Sequence, residues 1–151
     1  MIRRVGPDEW ADWRLVRQRS LIEDPQAFAS SVSMWTGEQD TEERWRARLA
    51  SDGACFLAYE DGAAVGMVAA RPVEADEVEL ISMWVAPEAR GAGLGRALVD
   101  SVIGWAWGRR LRLRVMDGNG DAVSLYAACG FVLDDVAPDH EGCRVMRRPA
   151  D

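Results

Sequence analysis

The chain of 151 residues contains no lysine; all 18 of its basic residues are arginine. A Walker A phosphate loop needs a Lys to reach the β- and γ-phosphates and is therefore excluded. Pyridoxal-phosphate chemistry and Schiff-base catalysis are excluded too, since both form through a Lys amine. Histidine occurs once, at His140, and cysteine at 55, 129 and 143 without a CxxC pair. Those ligand types are too few and too scattered for a structural zinc site, so no metal is expected. The odd, unpatterned cysteines predict reduced thiols, not a disulfide framework. Residues 1–8 hold no apolar signal segment. No apolar run approaches the ~20 residues of a membrane span. The expectation is a soluble, cytoplasmic protein with no membrane partner.

Hydrophobic residues make up 48% of the chain and charged residues 28%, enough for one domain, 1–151, with a buried core. The net charge is −7 and the pI about 4.8, which argues against nucleic acid, whose binding rests on phosphate neutralisation. An acidic chain suits a cationic partner. The charge is uneven, however. Between residues 88 and 114, six Arg (90, 96, 109, 110, 112, 114) face only Glu88 and Asp100. A basic segment on an acidic protein points to an anionic ligand as well.

Periodicity gives the order β α α β β β α β α β β. Ile2–Val5 reads as a strand, and Pro7-Asp8-Glu9 opens a helix whose stripe is Trp10, Trp13, Val16 and Leu21. Residues 23–37 are irregular, and Asp40-Thr41-Glu42-Glu43 caps a helix over 41–50. A hairpin follows, with strands 55–59 and 65–70 about the Asp61-Gly62 turn. Strand 78–85 leads through a glycine-rich turn into a helix at about 93–107. Leu111–Met116 alternates apolar residues with Arg, as a strand does. A turn at 118–120, a helix over 121–128, a Gly130 C-cap and strands 131–133 and 143–147 complete the chain. The expected fold is mixed α/β (α+β). A largely antiparallel sheet of six to seven strands has helices on both faces and one central, right-handed β-α-β crossover.

That crossover, Ile81-Ser82-Met83-Trp84-Val85-Ala86-Pro87-Glu88-Ala89-Arg90-Gly91-Ala92-Gly93-Leu94-Gly95-Arg96, is the informative stretch. Glycines let backbone approach a ligand closely, and a helix start offers unpaired N–H groups with a positive dipole end. Together they suit a phosphate. The Rossmann pattern fails, because Arg96 stands at its third glycine position.

Arg90-x-x-Gly93-x-Gly95 after a Val-Ala-Pro strand end resembles the acetyl-CoA signature of the GNAT N-acetyltransferase superfamily. Asn119-x-x-Ala122-x-x-x-Tyr126 followed by Gly130-Phe131 resembles its later block, in the right order. The likeness is close over residues 55–133. It implies acetyl-CoA as acetyl donor, with the pyrophosphate held by the amides of Gly91, Ala92, Gly93, Leu94, Gly95 and Arg96 beside Arg90. It implies further that the pantetheine arm pairs with Trp84 and Val85 as an added strand, and that an amide near Val85 polarises the thioester. Asn119, Ala122 and Tyr126 then border the thioester, with Tyr126 as general acid. Glu79, 11 positions before Arg90, is the expected base or amine anchor, with Glu77 and Glu74 as neighbours. The implied reaction is direct attack of a primary amine in a ternary complex. The amine belongs to a small molecule, a peptide N-terminus or a Lys side chain. A homodimer is one assembly the resemblance allows. The alternative from another class is a non-catalytic acyl-CoA-binding or regulatory domain, which would not need Tyr126.

Four further features have plain structural readings beside functional ones. His140 lies in the loop 134–142, a region that can border the acceptor in the family. Cys129 and Cys143 have no His partner in pattern, which weighs against a ping-pong nucleophile. Trp35 or Phe28 could line an acceptor pocket or stack on a cationic amine. The acids of residues 23–43 would attract that amine.

Overall fold

The structure, a computed structural model, describes residues 1–25 and 32–151. A single 3-10 turn, Pro7–Glu9, leads into α1 (Trp10–Glu23). Helix α1 buries Trp13, Val16, Arg17, Ser20 and Leu21, the i, i+3, i+4, i+7, i+8 stripe of a core-facing helix. The arginine in that stripe is its one charged member. Helix α2 (Glu42–Leu49) starts where Thr41 Oγ1 accepts from the Arg44 amide at 3.3 Å, and it buries Trp45 and Leu49. Asp40 joins the two helices. It accepts from Arg14 Nε and Nη2 at 2.8 and 2.6 Å and from Trp45 Nε1 at 2.7 Å.

Among the described residues, seven strands form one sheet in the order β1-β2-β3-β4-β5-β7-β6. They are β1 (Ile2–Val5), β2 (Ala54–Glu60), β3 (Ala63–Glu74), β4 (Glu77–Val85), β5 (Arg110–Met116), β6 (Val132–Leu133) and β7 (Cys143–Arg148). Only β4 and β5 run parallel, joined by α3 (Leu94–Trp105); every other pair is antiparallel. Helix α4 (Gly120–Ala128) links β5 to β6. The mixed sheet and its crossover follow the sequence pattern. Strand β3 runs well past the expected 65–70 at both ends, because β2 and β4 offer it pairing partners along its whole length. Among the described residues no helix is long and apolar enough to cross a membrane.

Residues Val65–Ala70 of β3 are buried without alternation, so both faces of the sheet are covered there. Helix α3 covers one face, where Leu98 meets Gly66, and α1 with α2 covers the other. Strand β5 alternates cleanly. Leu111, Leu113 and Val115 are buried, while Arg110, Arg112 and Arg114 turn to the opposite face. Each buried Leu is worth roughly 2 kcal/mol, so a one-residue slip, which would exchange the two sets, is strongly disfavoured.

Two irregularities position the site. Strand β5 pairs with β4 only at Glu77↔Arg110, Val78↔Leu111 and Glu79↔Arg112. Beyond that rung the strands part. In addition, β4 bulges: Met67 faces Trp84 and Ala69 faces Ile81, so Ser82 and Met83 together oppose Val68. Ser82 takes φ +56°, a left-handed conformation uncommon for a residue with a side chain. The extra residue reverses the inside–outside parity of the strand. Glu79 and Trp84, of opposite parity by number, therefore meet the same face.

Candidate active site

Where β4 and β5 part, a cleft of about 410 Å3 opens, lined among others by Arg17, Arg71, Glu79, Arg114, Asn119 and Tyr126. Three elements of the sheet and two helices supply those residues, none of them adjacent in sequence to its neighbour in space. Cross-strand register builds the floor. Arg71 of β3, Glu79 of β4 and Arg112 of β5 stand in one row, and residues opposed in register share a face.

Glu79 is buried, and both of its oxygens are occupied. Oε1 accepts from Arg71 Nε at 3.0 Å and also from its Nη2, and Oε2 accepts from Arg112 Nε at 3.1 Å. Glu77, also buried, takes Arg147 Nη1 at 3.2 Å and lies 3.8 Å from Arg112. The chain of alternating charge continues to Asp134, which accepts from Arg147 Nε at 2.9 Å. These pairs hold Glu79 firmly in place. A carboxylate oxygen has two lone pairs, so Oε1 is filled by Arg71 and Oε2 has room for one further donor. Glu74 lies outside the cleft lining, 3.9 Å from Arg110.

Tyr126 projects from α4 into the cleft, edge-on to Phe131 at 5.9 Å between centroids. Its hydroxyl has no hydrogen-bond partner among the described residues. Burial pushes the phenol well above its ordinary range, since the phenolate would lose its hydration, and the nearby Cys129 pushes the same way. The group is thus a phenol, never a phenolate, at neutral pH. Asn119 caps α4, with Oδ1 accepting from the Ala122 amide at 3.2 Å. The cap fixes the start of the helix that carries Tyr126.

At the other end of β4 lies the glycine turn. Gly91 and Gly93 have φ of +85° and +83°, and a Cβ built on either would meet nothing within 4 Å. Gly93 is the N-cap of α3, where the first intrahelical bond runs from the Ala97 amide to the Gly93 carbonyl at 3.1 Å. The amides of Leu94, Gly95 and Arg96 precede that bond and have no helical partner. Among the described residues, no carbonyl takes the amides of Gly91, Ala92 or Gly93. Such a ring of amides with open space before it fits a diphosphate. Gly95 serves a different need: Leu125 and Met83 come within 3.4 Å of where its Cβ would stand. Its bareness lets α3 lie against α4 and β4.

Arg90 and Trp84 are turned away from that turn. Arg90 Nε donates to the Val85 carbonyl at 2.8 Å, and its Nη2 to Asp24 at 3.3 Å. Trp84 Nε1 donates to the same Asp24 oxygen at 2.6 Å. Arg19 of α1 grips Glu88 with two bonds of 2.5 and 2.6 Å and lies over the Trp84 ring. The C-terminal end of α1 is thereby clamped to the strand end and the turn. Nothing local in the sequence announced that clamp. The Ala86 amide bonds to Val65 on β3 at 2.7 Å, so strand alternation turns the Val85 amide the other way, toward the gap. Outside the cleft, Glu23, Asp24 and Asp117 border an acidic hollow of about 620 Å3 that Asn119 shares.

The remaining candidates stand elsewhere. His140 is exposed beside Glu141 and does not line the cleft. Trp35 packs on Trp45 at 4.5 Å between centroids, under Arg44 of its own chain, so its cation partner is internal. Phe28 lies outside the described residues. Cys129 is buried, and Cys143 reaches the cleft. Burial pushes both thiols up, the opposite of what a nucleophilic cysteine needs. Among the described residues no group of three His, Cys, Asp or Glu is placed to hold a metal. Sequence reading missed Arg17, Arg71 and Arg112. The Arg-Leu-Arg-Leu-Arg run of 110–114 was the available signal, since it marks one charged face.

The sequence matches the acetyltransferase (GNAT) family over residues 13–131. It is 40% identical over 136 residues to a phosphinothricin N-acetyltransferase of Alcaligenes faecalis, covering 79% of this chain and 68% of that one. It is 32% identical over 88 residues to a streptothricin acetyltransferase of Escherichia coli, covering 56% of this chain and about half (51%) of that longer one. Its fold matches the crystal structure of a GNAT superfamily phosphinothricin acetyltransferase from Sinorhizobium meliloti in complex with AcCoA. That match has a TM-score of 0.75 and 20% identity, over 99% of this chain and 88% of that one. The parted strands, the amide turn and these matches agree: the chain belongs to the acetyltransferase (GNAT) family.

Proposed function

We propose that residues 1–151 act as one N-acetyltransferase domain, moving an acetyl group to a primary amine by direct attack in a ternary complex. The observation that carries this reading is the parting of β4 and β5 after Glu79, with Tyr126 facing the gap and the amide turn at its far end. Acetyl-CoA supplies an activated thioester. The amides of Gly91–Arg96 would hold its diphosphate, and the edge of β4 at Trp84 and Val85 would hold the arm as an added strand. The Val85 amide, turned toward the gap, would bond to that arm, and the thioester would lie further along the gap, near Tyr126 and Glu79.

An alkylammonium titrates near pH 10.4, so the acceptor must shed a proton before it attacks. Glu79, fixed by two arginines, has one lone pair left, on Oε2, to anchor the ammonium and pass its proton to water. The new N–C bond replaces the C–S bond, the departing sulfur takes its proton from the Tyr126 hydroxyl, and the second proton shed by the nitrogen returns through solvent to Tyr126. The burial that raises the phenol raises a thiol beside it in the same way, so this transfer stays balanced. The relatives named above act on phosphinothricin and streptothricin, which supports an amine of a small molecule. The three unpaired cysteines support a cytoplasmic setting.

Thiol release from acetyl-CoA across an amine panel tests the proposal. Amine-dependent release is expected, and Tyr126→Phe should lower kcat by about 10²-fold or more while CoA affinity is kept. Acetyl-CoA binding with no release for any amine would replace the enzyme with a non-catalytic acyl-CoA sensor.

A further inference from the structure

Two buried carboxylates stand on one face of β4. Glu77 and Glu79 are two positions apart and precede the Ser82 bulge, so strand alternation turns both side chains the same way. Their exposures are 5% and 4%, yet only Glu79 lines the cleft. Acetyl transfer as described uses Glu79 and leaves Glu77 without a task.

Stability is a poor reason for Glu77. Its Oε2 accepts from Arg147 Nη1 at 3.2 Å, while Oε1 lies 3.8 Å from Arg112 Nη1, too far for a second bond. Desolvating a carboxylate for so loose a contact generally costs more than an apolar residue of the same volume would. Its register partners do not help. Glu74 on β3 is a like charge, and Arg110 on β5 bonds to Asp76 at 3.2 Å.

What Glu77 does meet is the guanidinium that holds Glu79. Arg112 gives Nε to Glu79 Oε2 at 3.1 Å and turns Nη1 toward Glu77. The row Arg71–Glu79–Arg112–Glu77–Arg147–Asp134 therefore alternates in sign from end to end. Without Glu77, Glu79 would lie between two guanidinium groups with no second anion on Arg112. Opposite charges on both sides hold a carboxylate in its charged form and weaken its pull on a proton. A group that takes a proton from an ammonium works against that loss.

We propose that Glu77 is a positioning residue for acetyl transfer: through Arg112 it fixes the Glu79 carboxylate and offsets part of the positive charge that two guanidinium groups bring to it. The proposal rests on Glu79 as amine anchor and extends that reading to a residue outside the cleft. The other charged or titratable groups lining the cleft are Arg17 of α1, Arg114 of β5, Tyr126 of α4 and Cys143 of β7. Arg17 stays a cation at neutral pH, Arg114 is paired with Asp139 and Glu141, and burial keeps Tyr126 a phenol and Cys143 a thiol. His140 stands outside the cleft beside Glu141. The Glu77 charge is thus the local variable.

Two readouts test this on the full chain. Carbon-13 NMR of the CoA-saturated protein follows the Glu79 carboxyl, identified by its loss in Glu79→Gln. Thiol release from acetyl-CoA gives the acid limb of kcat/KM for the amine. Glu77→Gln removes the offsetting anion and should move both to lower pH by about half a pH unit or more. Arg112→Gln removes the cation and should move both to higher pH. Simple loss of structure would not give opposite signs. Glu77→Asp keeps the charge and should leave the limb near the parent's. If Glu77→Gln does not fold, Glu77→Met, which leaves no unpaired amide, carries the same expectation. No shift in the Glu77 variant, or shifts of one sign in both variants, would overturn the proposal and leave acetyl transfer standing. Opposite NMR shifts without thiol release for any amine would keep the tuning of Glu79 and remove the enzymatic reading.

Discussion

Trp84 and Asp24 are joined by a 2.6 Å hydrogen bond from indole Nε1 to carboxylate oxygen, across 60 positions of sequence. The same oxygen accepts from Arg90. One side chain at the C-terminal end of α1 thus fixes both the end of β4 and the residue that opens the glycine turn.

Asp24→Ala should therefore act on stability and on donor binding together. It leaves the buried Trp84 N–H without its acceptor, at a cost of about 1–3 kcal/mol. Urea unfolding should show that loss, and calorimetry should show weaker CoA binding. Unchanged CoA affinity would mean that the clamp braces the fold without shaping the turn.

Gly93 separates strain from occlusion. At φ +83° any side chain is strained, so Gly93→Ala should lose about 1–2 kcal/mol of stability. Gly93→Glu carries the same strain and adds a negative charge in the open space before the amides. It should lose CoA affinity far beyond Gly93→Ala in calorimetric titration. Equal affinity in the two variants would contradict the diphosphate cradle.

Glu79→Gln distinguishes proton handling from scaffolding. Turnover should fall about 10²-fold at pH 7 and recover as pH rises toward the acceptor's own titration near 10. A deficit that stays constant with pH would show that Glu79 only holds Arg71 and Arg112 in place.

Asp40 should set part of the acid limit of stability. Two bonds from Arg14 and one from Trp45 hold its carboxyl well below the usual range. A group depressed in the folded state contributes stability above its unfolded value of ~3.9 and loses it as pH falls below that value. Asp40→Asn should unfold more easily than the parent at pH 7, and the gap should narrow below about pH 4. Urea midpoints at pH 7 and pH 3 give the comparison. An unchanged gap would assign the effect to the Asn itself.

Much of this was legible locally. Helix stripes, the Asn119 cap and the glycine turn depend on residues a few positions apart, so periodicity and spacing reveal them. Tyr126 stood out only through the Asn119-x-x-Ala122-x-x-x-Tyr126 block that resembles the family's; by position alone it reads as a packed aromatic. The Arg71–Glu79–Arg112 row did not, because it exists only once the register of three strands is set. Glu79 in isolation reads equally as a solvent-facing carboxylate. Trp35 was ambiguous for a related reason: a lone aromatic in an irregular segment does not announce that Trp45 of α2 will meet it. The position of β7 between β5 and β6 reflects pairing between segments about 30 residues apart, which no short motif encodes.

The bulge at Ser82 divides β4 into two half-strands that are out of phase. Ahead of it, odd-numbered residues such as Glu79 face α1; behind it, even-numbered Trp84 does. Substitutions at this point change one side chain each, whereas removing a single residue would restore a regular ladder and turn every later side chain inside out. Trp84 would be carried away from Asp24 and the Val85 amide away from the gap. In this chain the reading frame of the backbone is itself a functional element, and length there is less negotiable than chemistry.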